Sequence, residues 1–348
     1  MQTRERLNML KWIRLALVAA VFALTTQTQA QAALEKTKVH IAVGGKAAFY
    51  YLPLTIAEQL GYFKDEGLDV TISDFAGGST ALRAVVGGSA DVVSGAYEHT
   101  ISLQGKKQFF QAFVQQGRLP QISLGIATAK MAGYKTAKDL KGMKIGVSAP
   151  GSSTNNLVKQ MLAKEGLKPT DVSIVGVGTG AGAIATMKSG QIDAISNVDP
   201  VMTKLEQEGA IKLVADTRTY KGTIAVWGAP LPAGCLYAPI EFIRKNPNTV
   251  QALTNAIVRA DKWLAKATPQ DILKTVPETY LLGDKALYLF SYGKIKEALS
   301  LDGSISDAGA RATLKALATF DPQIKAGEVK LDQTYTNEFV KKANAKYK

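Results

Sequence analysis

Gly88-Ser89-Ala90-Asp91-Val92-Val93-Ser94 and Gly190-Gln191-Ile192-Asp193-Ala194-Ile195-Ser196 repeat one pattern at a distance of 102 residues. Each opens on a glycine, reaches an aspartate three residues later and continues into an apolar run of the kind that forms a buried strand. Upstream at the same offset, Gly78 matches Gly180, Leu82 matches Ile184 and Val85 matches Met187, so a helix of the same phase precedes each glycine. Further upstream the match loosens without vanishing. Val39-His40-Ile41-Ala42-Val43 with Gly44-Gly45 corresponds to Lys144-Ile145-Gly146-Val147 with Ser148-Ala149-Pro150-Gly151. A helical stretch follows in each copy and stops at Glu66-Gly67-Leu68 or Glu165-Gly166-Leu167, where glycine suits a left-handed cap. Asp69-Val70 and Asp171-Val172 then lead into another strand. Alternation of strands and helices in this order predicts a parallel sheet covered by helices, because parallel neighbours need a crossover of about a dozen residues.

Two such units predict an α/β protein of two similar lobes. Each lobe carries its loops at the C-terminal ends of its strands, the edge where open α/β sheets bind ligands. Lobe one is expected over 33–129, lobe two over 130–232, and a return to lobe one with C-terminal helices over 233–348. The strand-like Ile122-Ser123-Leu124-Gly125-Ile126-Ala127 would lead out of lobe one, and Leu231-Pro232-Ala233-Gly234-Cys235-Leu236-Tyr237 would carry the chain back. Two crossings make a hinge. Past Tyr237, Val250, Leu253, Ile257, Trp263 and Leu264 fall at helical spacing, and further helices are expected over 272–276, 288–299, 308–319 and 333–346. Trp263, Tyr288 and Phe290 read as core residues of this tail.

The N-terminus reads differently. Arg4, Arg6, Lys11 and Arg14 precede an apolar run from Leu15 to Leu24, too short for a spanning helix, and small residues follow. Residues 1–32 therefore read as an export signal, cleaved after Ala30 or Ala32. Removing residues 1–30 lowers the formal charge from +13 to +10 (38 basic against 28 acidic residues). The lysines are scattered and no aromatic platform is interleaved with them, which argues against a nucleic-acid partner. Cys235 is the only cysteine, so no internal disulfide and no cysteine-based metal cluster can form. His40 and His99 are the only histidines, which leaves little room for a histidine metal site or a Ser-His-Asp triad. No cofactor and no metal are expected.

Four stretches in this order carry a family likeness: 56–68 (IAEQLGYFKDEGL), 139–147 (DLKGMKIGV), Gly151-Ser152-Ser153-Thr154, and Asp193-Ala194-Ile195-Ser196-Asn197-Val198-Asp199-Pro200. Together they resemble the nitrate/sulfonate/taurine-type substrate-binding proteins of ABC importers. The resemblance implies a two-lobe periplasmic-binding-protein fold of type II, with lobe one discontinuous and a hinge of two crossing segments. It also implies a periplasmic, monomeric, non-enzymatic protein that delivers a small solute to an ABC permease in the inner membrane. Two other roles stay open. One is an exported receptor subunit serving a sensor; the other is an enzyme like the related pyrimidine synthase that consumes its own histidine, against which the single cysteine argues, since that enzyme needs a cysteine-rich iron site.

Candidate ligand residues cluster at the predicted strand ends. Ser152, Ser153 and Thr154 open a helix, where unpaired backbone N–H groups and the helix dipole favour an anion such as a sulfonate or carboxylate. Gly78 and Ser79 hold the corresponding position in lobe one, and Thr179 in lobe two. Gly95, Tyr97 and Glu98 leave a buried strand for the cleft, and Asn197 and Asp199 do so in the other copy. The resemblance places ligand contacts there too, although Val198 stands where many sulfonate binders carry Trp, which weakens the case for a sulfonate. Phe49, Tyr50, Tyr51 and Trp227 are candidates for an aromatic wall. Glu98 and Asp199 sit awkwardly beside a pure anion. Either the solute also carries an amino or hydroxyl group, or Lys46 or Arg118 neutralises these carboxylates; Lys46 is itself a candidate ligand contact.

Overall fold

The computed structural model describes residues 33–348, and the expected export signal and its cleavage site lie outside them. Ten strands among the described residues form two five-stranded sheets. The first contains β1 (Lys38–Val43), β2 (Asp69–Asp74), β3 (Val92–Ala96), β4 (Phe110–Gln115) and β10 (Gly234–Pro239) in the order β2-β1-β3-β10-β4. The second contains β5 (Ile122–Ala127), β6 (Lys144–Val147), β7 (Ser173–Gly176), β8 (Ala194–Val198) and β9 (Ile211–Asp216) in the order β7-β6-β8-β5-β9. Exchanging counterparts turns one order into the other, so the sequence repeat is a structural repeat. In each sheet one strand comes from a crossing segment and runs antiparallel to both neighbours: β10 between β3 and β4, and β5 between β8 and β9.

This topology corrects one sequence expectation. The segment read as the end of lobe one, up to residue 129, includes β5, which is hydrogen-bonded into the second sheet. The passage between sheets therefore falls at 116–121. Nothing local in Ile122–Ala127 could reveal this, because a fully buried strand looks alike in either sheet.

The repeated Gly-x-x-Asp has a physical role visible in both copies. Asp91 accepts a hydrogen bond from the His40 N–H at the start of β1 (2.9 Å), and Asp193 accepts one from the Lys144 N–H at the start of β6 (2.7 Å). Each carboxylate also meets a lysine, Lys36 or Lys130, at 2.7 and 2.5 Å. Each pins the first strand of its repeat to the strand that follows the aspartate, β1 to β3 and β6 to β8. The helix-ending glycines Gly67 and Gly166 take φ of 80° and 71°, a region that side chains with a Cβ enter at a cost of about 1–2 kcal/mol.

Helices cover both sheets. In lobe one Val93, Tyr97, Ile101, Tyr237, Leu314 and Leu317 share one core, and in lobe two Ile184, Met187, Ile195, Met202, Leu205 and Ile211 share another. The C-terminal helices are Pro247–Lys266, Pro269–Thr275, Lys285–Ile295, Asp307–Ala318 and Glu338–Lys346. Val250, Leu253, Ile257 and Leu264 of the first are buried, each worth about 1.5–3 kcal/mol relative to exposure. That helix packs on Leu52–Gln59 and on Glu338–Lys346. Tyr288 is core as expected, but Phe290 is 52% exposed with the Lys294 ammonium 5.1 Å from its ring centre. No described helix is long and apolar enough to cross a membrane.

The two crossings run side by side. Gly117 N–H donates to the Gly234 carbonyl (3.0 Å) and Ala233 N–H to the Gly117 carbonyl (2.9 Å). A pair of bonded strands bends as one ribbon, the arrangement that lets two lobes hinge.

Candidate functional site

The parallel strands end at Val43, Asp74 and Ala96 in one lobe and at Val147, Gly176 and Val198 in the other. The loops beyond them meet face to face, and the lobes are closed. Ser79 N–H donates to Ser152 Oγ at 2.9 Å, Ser152 Oγ donates to Ser79 Oγ at 3.1 Å, and Ser79 Oγ donates to the Pro150 carbonyl at 2.9 Å. Phe49 N–H reaches the Asp199 carbonyl at 3.0 Å. Gly77 makes the approach possible: its backbone is extended, and a Cβ there would lie 2.9 Å from the Ala149 Cβ of the other lobe. Gly151, at φ 83°, supplies the left-handed turn into the Ser153–Lys164 helix.

Two adjoining cavities lie inside this closure. One, of about 20 Å³, is lined by Tyr50, Tyr51, Gly78, His99, Ser152, Ser153, Thr154 and Thr179 together with strand-end residues. The second, also of about 20 Å³, shares Tyr50, Ile122 and Ser153 with it and adds Glu98, Asn156, Trp227 and an apolar wall. Of the sixteen sequence candidates, ten border this space: Tyr50, Tyr51, Gly78, Glu98, Ser152, Ser153, Thr154, Thr179 and Trp227 line it, and Ser79 seals it through Ser152.

The other six do not line it. The Lys46 ammonium pairs with Glu58 at 2.6 Å. Phe49 packs in the core, 4.5 Å from Tyr288 between ring centres. Gly95 lies against Tyr237 in the sheet, and the Tyr97 phenol turns inward to Thr334 Oγ1 at 2.7 Å. Asn197 donates to the Gly178 carbonyl at 2.9 Å, which holds the loop that presents Thr179. Asp199, 1% exposed, is neutralised by Arg218 at 3.2 Å rather than by Lys46 or Arg118. Arg118 instead donates to the Glu297 carbonyl and lies over Tyr220.

The hydroxyls are also partly committed. Thr154 Oγ1 accepts from the Ser148 N–H at 3.0 Å and Ser152 is bonded to Ser79, so of the three helix-start hydroxyls Ser153, within reach of the Tyr50 phenol, is left facing the space, with Thr179 from the neighbouring loop. The Ser153–Lys164 helix begins without a side-chain cap bond, which leaves its first N–H groups for a guest.

Tyr51, read with Phe49 and Tyr50 as a possible wall, and His99, the last residue of the run read as leaving β3 for the cleft, also line the first cavity. His99 is 4% exposed; Nδ1 bonds the Tyr237 phenol at 2.9 Å while Nε2 is buried without a close hydrogen bond and faces the first cavity. Burial holds the imidazole below its ordinary pKa, against the opposing pull of Glu98, so it is neutral near pH 7. Burial, reinforced by the Glu98 charge, likewise raises the phenols of Tyr50, Tyr51 and Tyr237. The cleft therefore holds neutral donors and acceptors around one carboxylate.

The sequence matches the family described as NMT1/THI5 like over residues 48–272, most of the chain. The chain belongs to this family. A solved structure from Bordetella bronchiseptica RB50 is 61% identical with a TM-score of 0.89, covering 90% of this chain and 99% of that one. The alkanesulfonate-binding protein SsuA from Xanthomonas axonopodis pv. citri, bound to MOPS, is 19% identical with a TM-score of 0.66 over 88% of this chain and all of that one. It shares the fold, a two-lobe periplasmic-binding-protein arrangement with lobe one discontinuous. Among curated relatives, the putative binding protein YtlA of Bacillus subtilis (strain 168) is 23% identical over 78% of this chain and 79% of its own length. The 4-amino-5-hydroxymethyl-2-methylpyrimidine phosphate synthase of Schizosaccharomyces pombe is 25% identical over 71% of this chain and 69% of its own. The curated relatives thus include both a putative binding protein and a synthase.

Proposed function

We propose that this chain is the exported solute-binding component of an ABC importer, a periplasmic monomer that closes two lobes on one small organic solute and presents it to an inner-membrane permease. The observation that carries this reading is the geometry of closure. Helix starts from both lobes converge on one enclosed space, sealed by direct serine-to-serine bonds across the cleft. A pocket formed by two hinged bodies couples occupancy to shape, which is what a delivery protein requires. The fold likeness to binding proteins and the relationship to YtlA support it.

The expected anion site is only half built. The uncapped helix start and Ser153 offer donors to a carboxylate, sulfonate or other acceptor end of the solute. No lysine or arginine lines either cavity among the described residues. A synthase reading is opposed by the single Cys235, which is buried in β10 with its thiol pushed up by burial and so cannot join a cysteine-rich iron site.

Isothermal titration of the mature protein with a panel of small organic solutes is expected to give saturable one-to-one binding, with the ligand recovered unchanged. A sensor receptor would bind equally, so co-purification with a permease decides between the two destinations. Chemical conversion of the bound compound would overturn the transport reading.

A further inference from the structure

Among Asp, Glu, Lys and Arg side chains of the described residues, Glu98 alone lines either cavity. It stands in the first turn of the Glu98–Gly105 helix, directly after the strand-end turn at Tyr97. Its carboxylate receives one hydrogen bond from the protein, a long one of 3.4 Å from Asn156 Nδ2 across the cleft to Oε1. No lysine or arginine pairs with it, in contrast to Asp199, which the same cleft neutralises with Arg218. Two buried nitrogens nearby make no close hydrogen bond: Nε2 of His99, itself 96% buried, on the first cavity, which only the Gly151 carbonyl approaches, and Nε1 of Trp227 on the second. Glu98 is part-buried beside a largely apolar wall, where a donor or positive charge from a guest completes a carboxylate better than the few protein groups within its reach. The protein withholds that partner at the one place where a guest can supply it.

Resting on the solute-binding reading above, we propose that the solute carries a hydrogen-bond-donating nitrogen, an amine or amidine, that docks on Glu98. Its body packs between Tyr50 and Trp227, and its acceptor end points to the Ser153 helix start. The His99 imidazole completes the recognition. With Nδ1 bonded to a phenol that can donate or accept, Nε2 presents either an acceptor or an N–H. The cleft is thereby set against simple inorganic anions, which would meet a bare carboxylate.

The test uses matched single-ring probes that differ in their head group: benzylamine and benzamidine as cations, benzamide as neutral, benzoate and benzenesulfonate as anions, alongside a panel of small aliphatic and heteroaromatic amines. Binding is read by calorimetry on wild type, Glu98→Gln and Glu98→Lys, with circular dichroism confirming that each variant is folded. Amine-bearing probes are expected to bind, to lose about 10- to 100-fold in affinity in Glu98→Gln, and to fail in Glu98→Lys. Binding confined to anions, unchanged or strengthened in Glu98→Gln, overturns this assignment while leaving the solute-binding reading in place. Binding of amines with no loss in either variant also overturns it. A panel in which no compound of any charge binds counts against both.

Discussion

At Asp199 and Arg218 a sequence candidate proves to be architecture. Asp199 accepts from the Thr203 N–H at 2.8 Å and from Arg218, and Arg218 is 3% exposed and also grips Asp216. Replacing Arg218 with Met leaves the Asp199 charge buried without compensation, an error that costs about 3–5 kcal/mol. Urea denaturation is expected to show that loss, and Arg218→Met combined with Asp199→Asn to recover a large part of it. Phe49, Tyr50 and Tyr51 make the complementary point. They occupy a single tight turn, in which successive side chains point about 120° apart. One must therefore face the core while its neighbours face the cleft, and the sequence holds no signal for which. Tyr97, Glu98 and His99 pose the same problem at the end of β3: Tyr97 turns inward and the next two toward the cavity.

Elements depend on the repeated aspartates. Burial pushes the Asp193 carboxyl up, but hydrogen bonds from Lys130 and the Lys144 N–H outweigh it and hold the group below its ordinary pKa. A carboxylate depressed in the folded state contributes stability that is fully present above its unfolded value of about 3.9 and is lost as pH falls through the folded value. Asp193→Asn is thus expected to cost about 1–2 kcal/mol at pH 7. Thermal melts from pH 7 down to pH 2 should show the gap between wild type and variant closing below about pH 4. A gap independent of pH would mean that the side chain acts through shape alone. The Gly-x-x-Asp spacing was legible because the bond it makes is local to a βα unit and recurs in both copies.

For the molecule as a whole, closure is the property under test. Gly77→Val puts a branched side chain where Ala149 of the other lobe already stands, on an extended backbone that any residue adopts. Secondary structure and melting temperature are expected to stay close to wild type, while small-angle scattering reports a larger radius and solute affinity falls at least tenfold. Full affinity in a variant that cannot close would detach binding from lobe movement. The same scale explains why the boundary at residue 129 misplaced β5: a crossing strand belongs to whichever sheet has a place for it between two other strands, here β8 and β9, and that is settled only when both sheets exist.

Repetition, glycine placement and the order of apolar runs determined by themselves that two similar α/β halves form and that their strand ends carry the loops. These are local properties, fixed by periodicity and by which residues tolerate a left-handed backbone. Tertiary structure alone decided which polar groups are spent on the protein and which are left for a guest. Ser152 is taken by Ser79, Lys46 by Glu58 and Asp199 by Arg218, partners 73, 12 and 19 residues away. Glu98 keeps a vacancy because no cation from either lobe comes to it, and the sum of such pairings over a folded surface is not written in any one stretch of chain.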